Sequence, residues 1–343
     1  MNKTNSDLSI IIPCLNEEEN IIRCLNSIAE STYPKHLLEI IIIDGLSQDN
    51  TIPLINNFKL ENDISIEIYD NIKKQQNFAL NIGIKKAKGD MIIRLDTHAT
   101  IDSNYIKDSV EYLFEKNPGA DAVGSPILTK PIKNTLIGRC IAVVMSSKFG
   151  VGNSSFRTDQ SSKNKYYLVD TIPFGCYKKT IFDEIGNYNE KLFCSEDLDF
   201  HARMRKKGKK LFLNTGILNT YYCRYKYIHF IKHAFRNGIW SILPMSITES
   251  FIFSIRHLIP ITFTSSLVAL SILSLWLPFF KYLLFLEVAL YSTLAIIFSL
   301  SNAIEHKNIF YFITLPILYF TLHFCYGLGS LSVLDTLFFK KNK

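Results

Sequence analysis

The chain has 343 residues and a formal net charge of +7, and its composition changes sharply near residue 258: charged residues recur every few positions before it, whereas Ile259 to Phe280 carries none. This length favours about two domains over a single core, and with no recognised binding motif beside the charge, nucleic acid is not an expected partner. Seven cysteines (Cys14, Cys24, Cys140, Cys176, Cys194, Cys223 and Cys325) form no C-x-x-C pair and are odd in number, which argues against a disulfide frame or zinc site and suits reduced, buried thiols.

Met1 to Asp7 is polar and lacks the basic-then-apolar build of a signal peptide, so the first domain is expected to stay in the cytosol. Leu8 to Pro13 is a continuous apolar run ended by proline and reads as a buried strand; Glu18 to Glu30 follows with helical spacing at Ile21, Ile22, Leu25 and Ile28. The unit repeats. Leu38 to Ile43 predicts a second strand, with a helix over Thr51 to Phe58 capped near Asp49. Ile64 to Tyr69 alternates as a third strand, Gln76 to Lys86 has the spacing of a helix, and Met91 to Leu95 predicts a fourth strand. Such alternation implies an α/β fold with a mostly parallel sheet and helices on both faces. Ligands of these sheets bind outside the carboxyl ends of the strands, where Asn16, Asp44, Asp70 and Asp96 all fall.

Pro118 to Asn189 is less regular; its glycines and prolines suggest loops and short strands that could form an acceptor side. Ser195 to Lys207 reads as a helix whose basic end, Arg203 to Lys210, fits a solvated terminus favoured by the dipole. Arg224, Lys226, Lys232, His233, Arg236 and Arg256 then lead into the apolar block as a positive-inside flank facing anionic lipid or a diphosphate. About 22 helical residues from Ile259 to Phe280 cover roughly 33 Å, enough to cross a bilayer. Tyr282 to Ser301, which contains Glu287, and Ile309 to Phe339 are further candidates, giving two or three transmembrane helices. Three would place Lys340, Lys341 and Lys343 outside, against the charge preference. The expected division is a domain over 1–240, a basic, amphipathic membrane-interface linker over 241–258 and a membrane domain over 259–343.

Four acidic motifs carry the chemistry. Asp96-x-His98, at a strand end, is either a turn with a helix cap or a metal and diphosphate site: a divalent ion on a carboxylate offsets the charge that grows on a departing nucleotide diphosphate. Hard oxygen donors suit Mg2+ or Mn2+, and imidazole is better tolerated by Mn2+. Asp44-Gly45-x-Ser47-x-Asp49 makes a turn and a cap, but an acid closing an apolar strand has little structural reason to be there, and Asp44 is a candidate partner for a base or ribose. Asn16-Glu17 follows the first strand. Ser195-Glu196-Asp197 looks like a cap with an acidic first turn; its functional reading makes Asp197 the general base, with Glu196 placing the acceptor or exchanging roles. Arg236 and Trp240 lie four apart on one helix face, either clamping a diphosphate and stacking or marking a membrane interface.

In order and spacing, Leu8-Ser9-Ile10-Ile11-Ile12-Pro13-x-x-Asn16-Glu17-Glu18, Ile43-Asp44-Gly45-x-Ser47-x-Asp49-x-Thr51, Ala79-x-Asn81-x-Gly83-Ile84, Gly89-Asp90, Asp96-x-His98 and Glu196-Asp197 resemble the family 2 glycosyltransferases of GT-A fold. Phe149-Gly150-Val151-Gly152-Asn153-Ser154-x-Phe156-Arg157 and Val169-Asp170-Thr171-x-Pro173-Phe174-Gly175 look like the membrane-anchored bacterial exopolysaccharide members of the succinoglycan type. The resemblance implies an inverting transfer from a nucleotide-sugar donor, usually a UDP-sugar, to a lipid-linked saccharide or polysaccharide acceptor. It implies nucleotide contacts from Pro13, Asn16, Glu17, Asp44 and Asp96, metal contacts from Asp96 and His98, and acceptor activation by Glu196 and Asp197. It also implies a bacterial inner membrane with the catalytic domain in the cytosol. Two departures stand out: Thr97-His98 replaces the second acid of many relatives, and the Gln-x-x-Arg-Trp motif of processive members is missing, the nearest stretch being His233-Ala234-Phe235-Arg236 with Trp240 displaced. One sugar per encounter is therefore expected. The rival readings are a catalytically silent nucleotide-sugar sensor or scaffold on the membrane, and a nucleotidyltransferase, which would usually carry a Gly-rich, Arg-containing loop where this chain has Pro13-Cys14-Leu15-Asn16-Glu17.

Overall fold

The computed structural model describes residues 7–158, 165–248 and 255–334. Packing divides the chain into two units, Met1–Leu128 with Asp159–Tyr222, and Thr129–Thr158 with Cys223–Lys343. This grouping differs from a linear division at residues 240 and 258, because the chain leaves the first unit twice.

The first unit opens with β1 (Leu8–Cys14), α1 (Ile21–Ala29), β2 (Leu38–Asp44), α2 (Thr51–Glu61), β3 (Ser65–Asp70), α3 (Gln76–Lys86) and β4 (Met91–Arg94). All four strands are parallel, β1 pairing with β2 and β4, and β2 with β3. Ile10, Ile12, Ile40, Ile42 and Ile93 are all fully buried, which is why their runs are continuous rather than alternating. The register sets Cys14 opposite Asp44 and Asp44 opposite Asp70, so the carboxyl ends of three strands finish level. On β1, α3 approaches so closely at Gly83 that a Cβ there would collide with the Ile11 side chain.

The chain continues through β5 (Ala99–Thr100), α4 (Tyr105–Glu111) and β6 (Ala122–Gly124), and β7 (Ile127–Pro131) carries it into the second unit for α5 (Leu136–Val144), α6 (Lys148–Val151) and α7 (Ser155–Thr158). It returns for β8 (Tyr166–Val169), β9 (Cys176–Lys178), α8 (Thr180–Ile185), α9 (Glu196–Lys206), β10 (Leu211–Asn214) and β11 (Asn219–Cys223). The large sheet has the order β3-β2-β1-β4-β9-β6-β10-β8. It is mixed, with helices on both faces: β9 runs antiparallel to both β4 and β6, and β8 antiparallel to β10. Beside β9, Phe200 of α9 stacks on Phe182 at 5.0 Å, and the neighbouring His201 is enclosed by Thr171 Oγ1 at 2.9 Å and Tyr177 OH at 2.7 Å.

The second unit gathers α5 to α7 with α10 (Tyr227–Ile242), α11 (Pro244–Ile247), α12 (Ile255–Leu273), α13 (Pro278–Glu305) and α14 (Ile309–Leu331). Three helices, Arg256–Leu273, Pro278–Glu305 and Ile309–Leu331, are long and apolar enough to cross a membrane. The uncharged run expected to span 259–280 breaks before its end because Pro278 starts a new helix, where its missing N–H costs nothing. Glu287 faces α12, accepting from Ser266 Oγ at 2.5 Å. The stretch Ser147–Gly150 is seated on α13 and α14: Tyr319 OH donates to Ser147 Oγ at 2.9 Å, His323 Nε2 lies 2.9 Å from the Phe149 carbonyl, and the Phe149 ring stacks on Phe298 at 5.1 Å. Residues 249–254 of the expected linker, and the tail containing Lys340, Lys341 and Lys343, lie outside the described residues.

Two stability tests follow from the first unit. Gly83→Ala improves helix propensity by about 1 kcal/mol, yet overpacking against Ile11 should outweigh it, lowering stability by roughly 1–3 kcal/mol in denaturant unfolding. His201 is pulled down to about 4 by burial; a depressed folded value means its contribution is fully present above the unfolded value of 6.5 and is lost as the pH falls through 4. His201→Gln should remove an acid-limb loss on the order of 3 kcal/mol between those limits, seen as a flatter dependence of Tm on pH.

Candidate active site

A cleft at the carboxyl ends of β1, β2, β3 and β4 is lined by Pro13, Cys14, Glu17, Gly45, Asn71, Lys74, Gln76, Asp96, Thr97 and His98, among others. Its walls are two loops laced together. Asn16 takes a left-handed φ of 55°, which asparagine tolerates; its N–H donates to Ser47 Oγ at 2.9 Å and its Oδ1 accepts from the Gln48 N–H at 2.8 Å. The Glu17 and Glu18 N–H groups donate to Thr51 Oγ1 at 2.7 Å and Asp49 Oδ2 at 3.1 Å. Asp44 is only 4% exposed, and its two oxygens accept from the Ser47 N–H at 2.9 Å and hydroxyl at 2.6 Å. Asn16 Oδ1 and both Asp44 oxygens are thus engaged in holding the loops, while Pro13, Glu17 and Gly45 line the cleft. Burial, reinforced by the Asp44 carboxylate, pushes the Cys14 thiol far up, so it is not a nucleophile.

Asp96 lies beyond β4 with its side chain 17% exposed. Gln76 Nε2, at the start of α3, donates to its Oδ1 at 2.9 Å. His98 lines the same cleft and meets Tyr221 edge-on at 5.1 Å. No group of three or more His, Cys, Asp or Glu able to hold a metal occurs among the described residues. Asp96 and His98 are thus two protein donors at most, with the remaining positions left to diphosphate oxygens and water. That is how Mg2+ and related hard cations are commonly held, so the residues fit such an ion.

Behind Asp96 lies a residue that sequence reasoning missed. Arg94, the last residue of β4, is 12% exposed and sits among three carboxylates: Nη2 lies 3.5 Å from Asp96 Oδ1 and 3.0 Å from Glu196 Oε1, and Nη1 lies 3.7 Å from Asp197 Oδ2. Burial alone would lower its pKa, but the carboxylates hold it well above the usual arginine range. Glu196, 6% exposed, is raised by burial to about 7, against the pull of Arg94 and with a further push from Asp197. Asp197 is 35% exposed and its Oδ1 accepts from the Leu198 N–H at 2.8 Å. Ser195 precedes them at a left-handed φ of 62° and its hydroxyl does not cap α9, which weakens the simple cap interpretation. A signal for Arg94 was present: it shares a strand face with Asp96 by the two-residue period, and a cation in a buried strand requires anionic partners.

The structure therefore brings together Asp96, Glu196 and Asp197 through Arg94, and Asp96, His98, Pro13 and Glu17 through the cleft. Arg236 and Trp240 belong to α10 in the other unit, Arg236 exposed and Trp240 half-buried.

A family model described as glycosyl transferase family 2 matches residues 9–186. Over 321 residues the chain is 30% identical to the dolichyl N-acetyl-alpha-D-glucosaminyl phosphate 3-beta-D-2,3-diacetamido-2,3-dideoxy-beta-D-glucuronosyltransferase of Methanococcus voltae, covering 92% of this chain and 93% of that protein. It is 25% identical over 261 residues to the succinoglycan biosynthesis protein ExoA of Rhizobium meliloti, covering 71% and 76% of the two chains. In fold it is similar to the mannosyltransferase of Pyrobaculum calidifontis in complex with GDP-Man and Mn2+, with a TM-score of 0.62 at 14% identity over 95% of this chain and 87% of the other. The sheet with its carboxylate-lined edge is a GT-A fold, and with a matching family model over half its length and a relative aligned nearly end to end, the chain belongs to glycosyl transferase family 2.

Proposed function

We propose that this protein is a membrane-anchored, inverting and non-processive glycosyltransferase that moves a sugar from a nucleotide-diphosphate donor, a UDP-sugar in our reading, to a lipid-linked saccharide in surface polysaccharide or glycolipid biosynthesis. The observation that carries this reading is the continuity of the site: Asp96 in the nucleotide cleft and Asp197 at the start of α9 contact one guanidinium. The M. voltae relative, named for transfer onto a dolichyl-linked sugar phosphate, and the three apolar helices support the lipid-linked acceptor. The catalytic domain is placed in the cytosol, at a bacterial inner membrane.

In this reading Pro13 and Glu17 border the nucleotide, with the loops fixed by Asn16 and Asp44 shaping its pocket. Asp96 and His98 would hold Mg2+ or Mn2+, which supplies positive charge against the leaving diphosphate. Asp197, the more exposed acid of its pair, accepts the proton of the acceptor hydroxyl; the freed oxygen bonds to the anomeric carbon from the face opposite the diphosphate. The carbon–oxygen bond to the diphosphate breaks and its electron pair leaves with the nucleotide, so configuration inverts. Glu196, buried beside Arg94, orients this carboxylate rather than replacing it. Arg236 and Trp240, on a helix of the other unit, are assigned to the membrane interface.

Asp197→Asn should reduce sugar transfer by at least about 100-fold, the usual scale of general-base loss, while leaving UDP affinity within about 3-fold of wild type; a fully active variant excludes Asp197 as the base. Asp96→Ala should weaken Mn2+-dependent UDP binding by about 10-fold or more, and an unchanged calorimetric titration would contradict that assignment.

A further inference from the structure

We propose that Arg94 is a positioning residue that ties the donor-side carboxylate Asp96 to the acceptor-side pair Glu196 and Asp197 and serves as the site's resident cation until the donor arrives with its metal. The inference rests on the functional reading above and extends it to a residue to which that reading gives no role.

The tie is geometric. Arg94 ends β4 and Asp96 lies just beyond it, while Glu196 and Asp197 open α9, and one planar guanidinium reaches all three acids, with Nη2 shared by Asp96 and Glu196 and Nη1 directed to Asp197. A lysine presents a point charge and cannot span two such directions at once, whereas the arginine fork can. The backbone of Arg94 is itself fixed, its N–H donating to the Gly175 carbonyl at 3.2 Å. Position is therefore handed from the sheet to the carboxylate that deprotonates the acceptor, and small misplacements of such groups are costly.

The electrostatic part follows from the count of charges at the site. Three carboxylates around one guanidinium leave an excess of negative charge, which one divalent ion with its diphosphate can join. With Arg94 removed, the same carboxylates would stand close together without a counter-charge, and an added cation would be the cheapest way to neutralise them. Arg94 thus biases metal capture toward the nucleotide-bound ion: it offsets part of the negative charge that would draw a bare divalent ion to Asp96, and this costs less to an ion whose charge a diphosphate already balances.

The test uses the full chain in detergent, Mn2+ as the metal probe followed by electron paramagnetic resonance, and UDP as the nucleotide probe. Arg94→Met should tighten nucleotide-free Mn2+ binding by about 10-fold or more, the effect of one missing nearby charge, and should speed amide exchange at 195–199. Arg94→Lys should return Mn2+ affinity to within about 3-fold of wild type, because the charge is kept, yet leave exchange at 195–199 fast, because the fork is lost. Unchanged Mn2+ binding in Arg94→Met, or slow exchange in both variants, overturns the proposal. If Arg94→Met does not fold, Arg94→Met/Glu196→Gln is compared with Glu196→Gln alone, and a double variant that binds Mn2+ no more tightly is equally fatal. Failure of wild type to bind UDP with Mn2+ would count against the donor assignment, and the nucleotide-free comparison would still judge Arg94.

Discussion

Carboxylates gathered on one edge of a sheet repel one another, and burial makes the repulsion worse; two like charges 4 Å apart cost about 4 kcal/mol at an effective dielectric of 20. A GT-A site needs such acids at strand ends, so it also needs something to offset them before any ligand arrives. Here that is Arg94. Its place at the end of β4 sets a cation between Asp96 and the first turn of α9. The offset is incomplete, since burial and Asp197 still lift Glu196 to about 7.

The cleft at the strand ends shows a second division of labour. Loops that leave the ends of parallel strands have little backbone pairing of their own, and their unpaired N–H groups must find partners. Asn16, Ser47, Asp49 and Thr51 supply those partners across the gap between the first two loops. The motif residues most easily taken for ligand contacts are thus partly the lacing of the cleft, whose open surface is lined by Pro13, Glu17, Gly45 and Asp96 among others. Both tasks favour short polar side chains at these positions, so sequence alone does not separate them.

What could be read in advance follows the same logic of locality. β1, β2 and β4 were legible as apolar runs buried on both faces, and β3 as an alternating run of six residues, each set off by helical spacing. The strands β6 and β9 have three residues each, too few to display a period, and so the antiparallel β9 and the mixed character of the sheet stayed hidden in the irregular stretch 118–189. Asp96, His98, Glu196 and Asp197 announced themselves as acids and a histidine at element ends. Arg94, a cation in a buried strand, signalled only a need for anionic partners; two of these, Glu196 and Asp197, lie about a hundred positions away, and no local pattern records that distance. The same holds for Phe149, whose stacking partner Phe298 is far along the chain.

That last contact bears on why the helical unit includes residues 129–158 at all. Helices in lipid gain little from burying apolar side chains against each other, because the lipid is as apolar as they are; association relies on close backbone approach and on polar groups with no water to satisfy them. Both occur here. Gly238, Gly327 and Gly329 lie where a Cβ would strike a neighbouring backbone, and Ser147 and the Phe149 carbonyl pair with Tyr319 and His323 in the middle of α14. Meanwhile Leu275, Trp276, Phe279, Tyr282 and Phe285 stay exposed, a surface that only an apolar surrounding makes inexpensive. The glycine-rich stretch Phe149-Gly150-Val151-Gly152 is thus held by hydrogen bonds and stacking that gain strength in a dry setting, and a polar substitution at Tyr319 or His323 would act on that stretch before it acted on the helix that carries it.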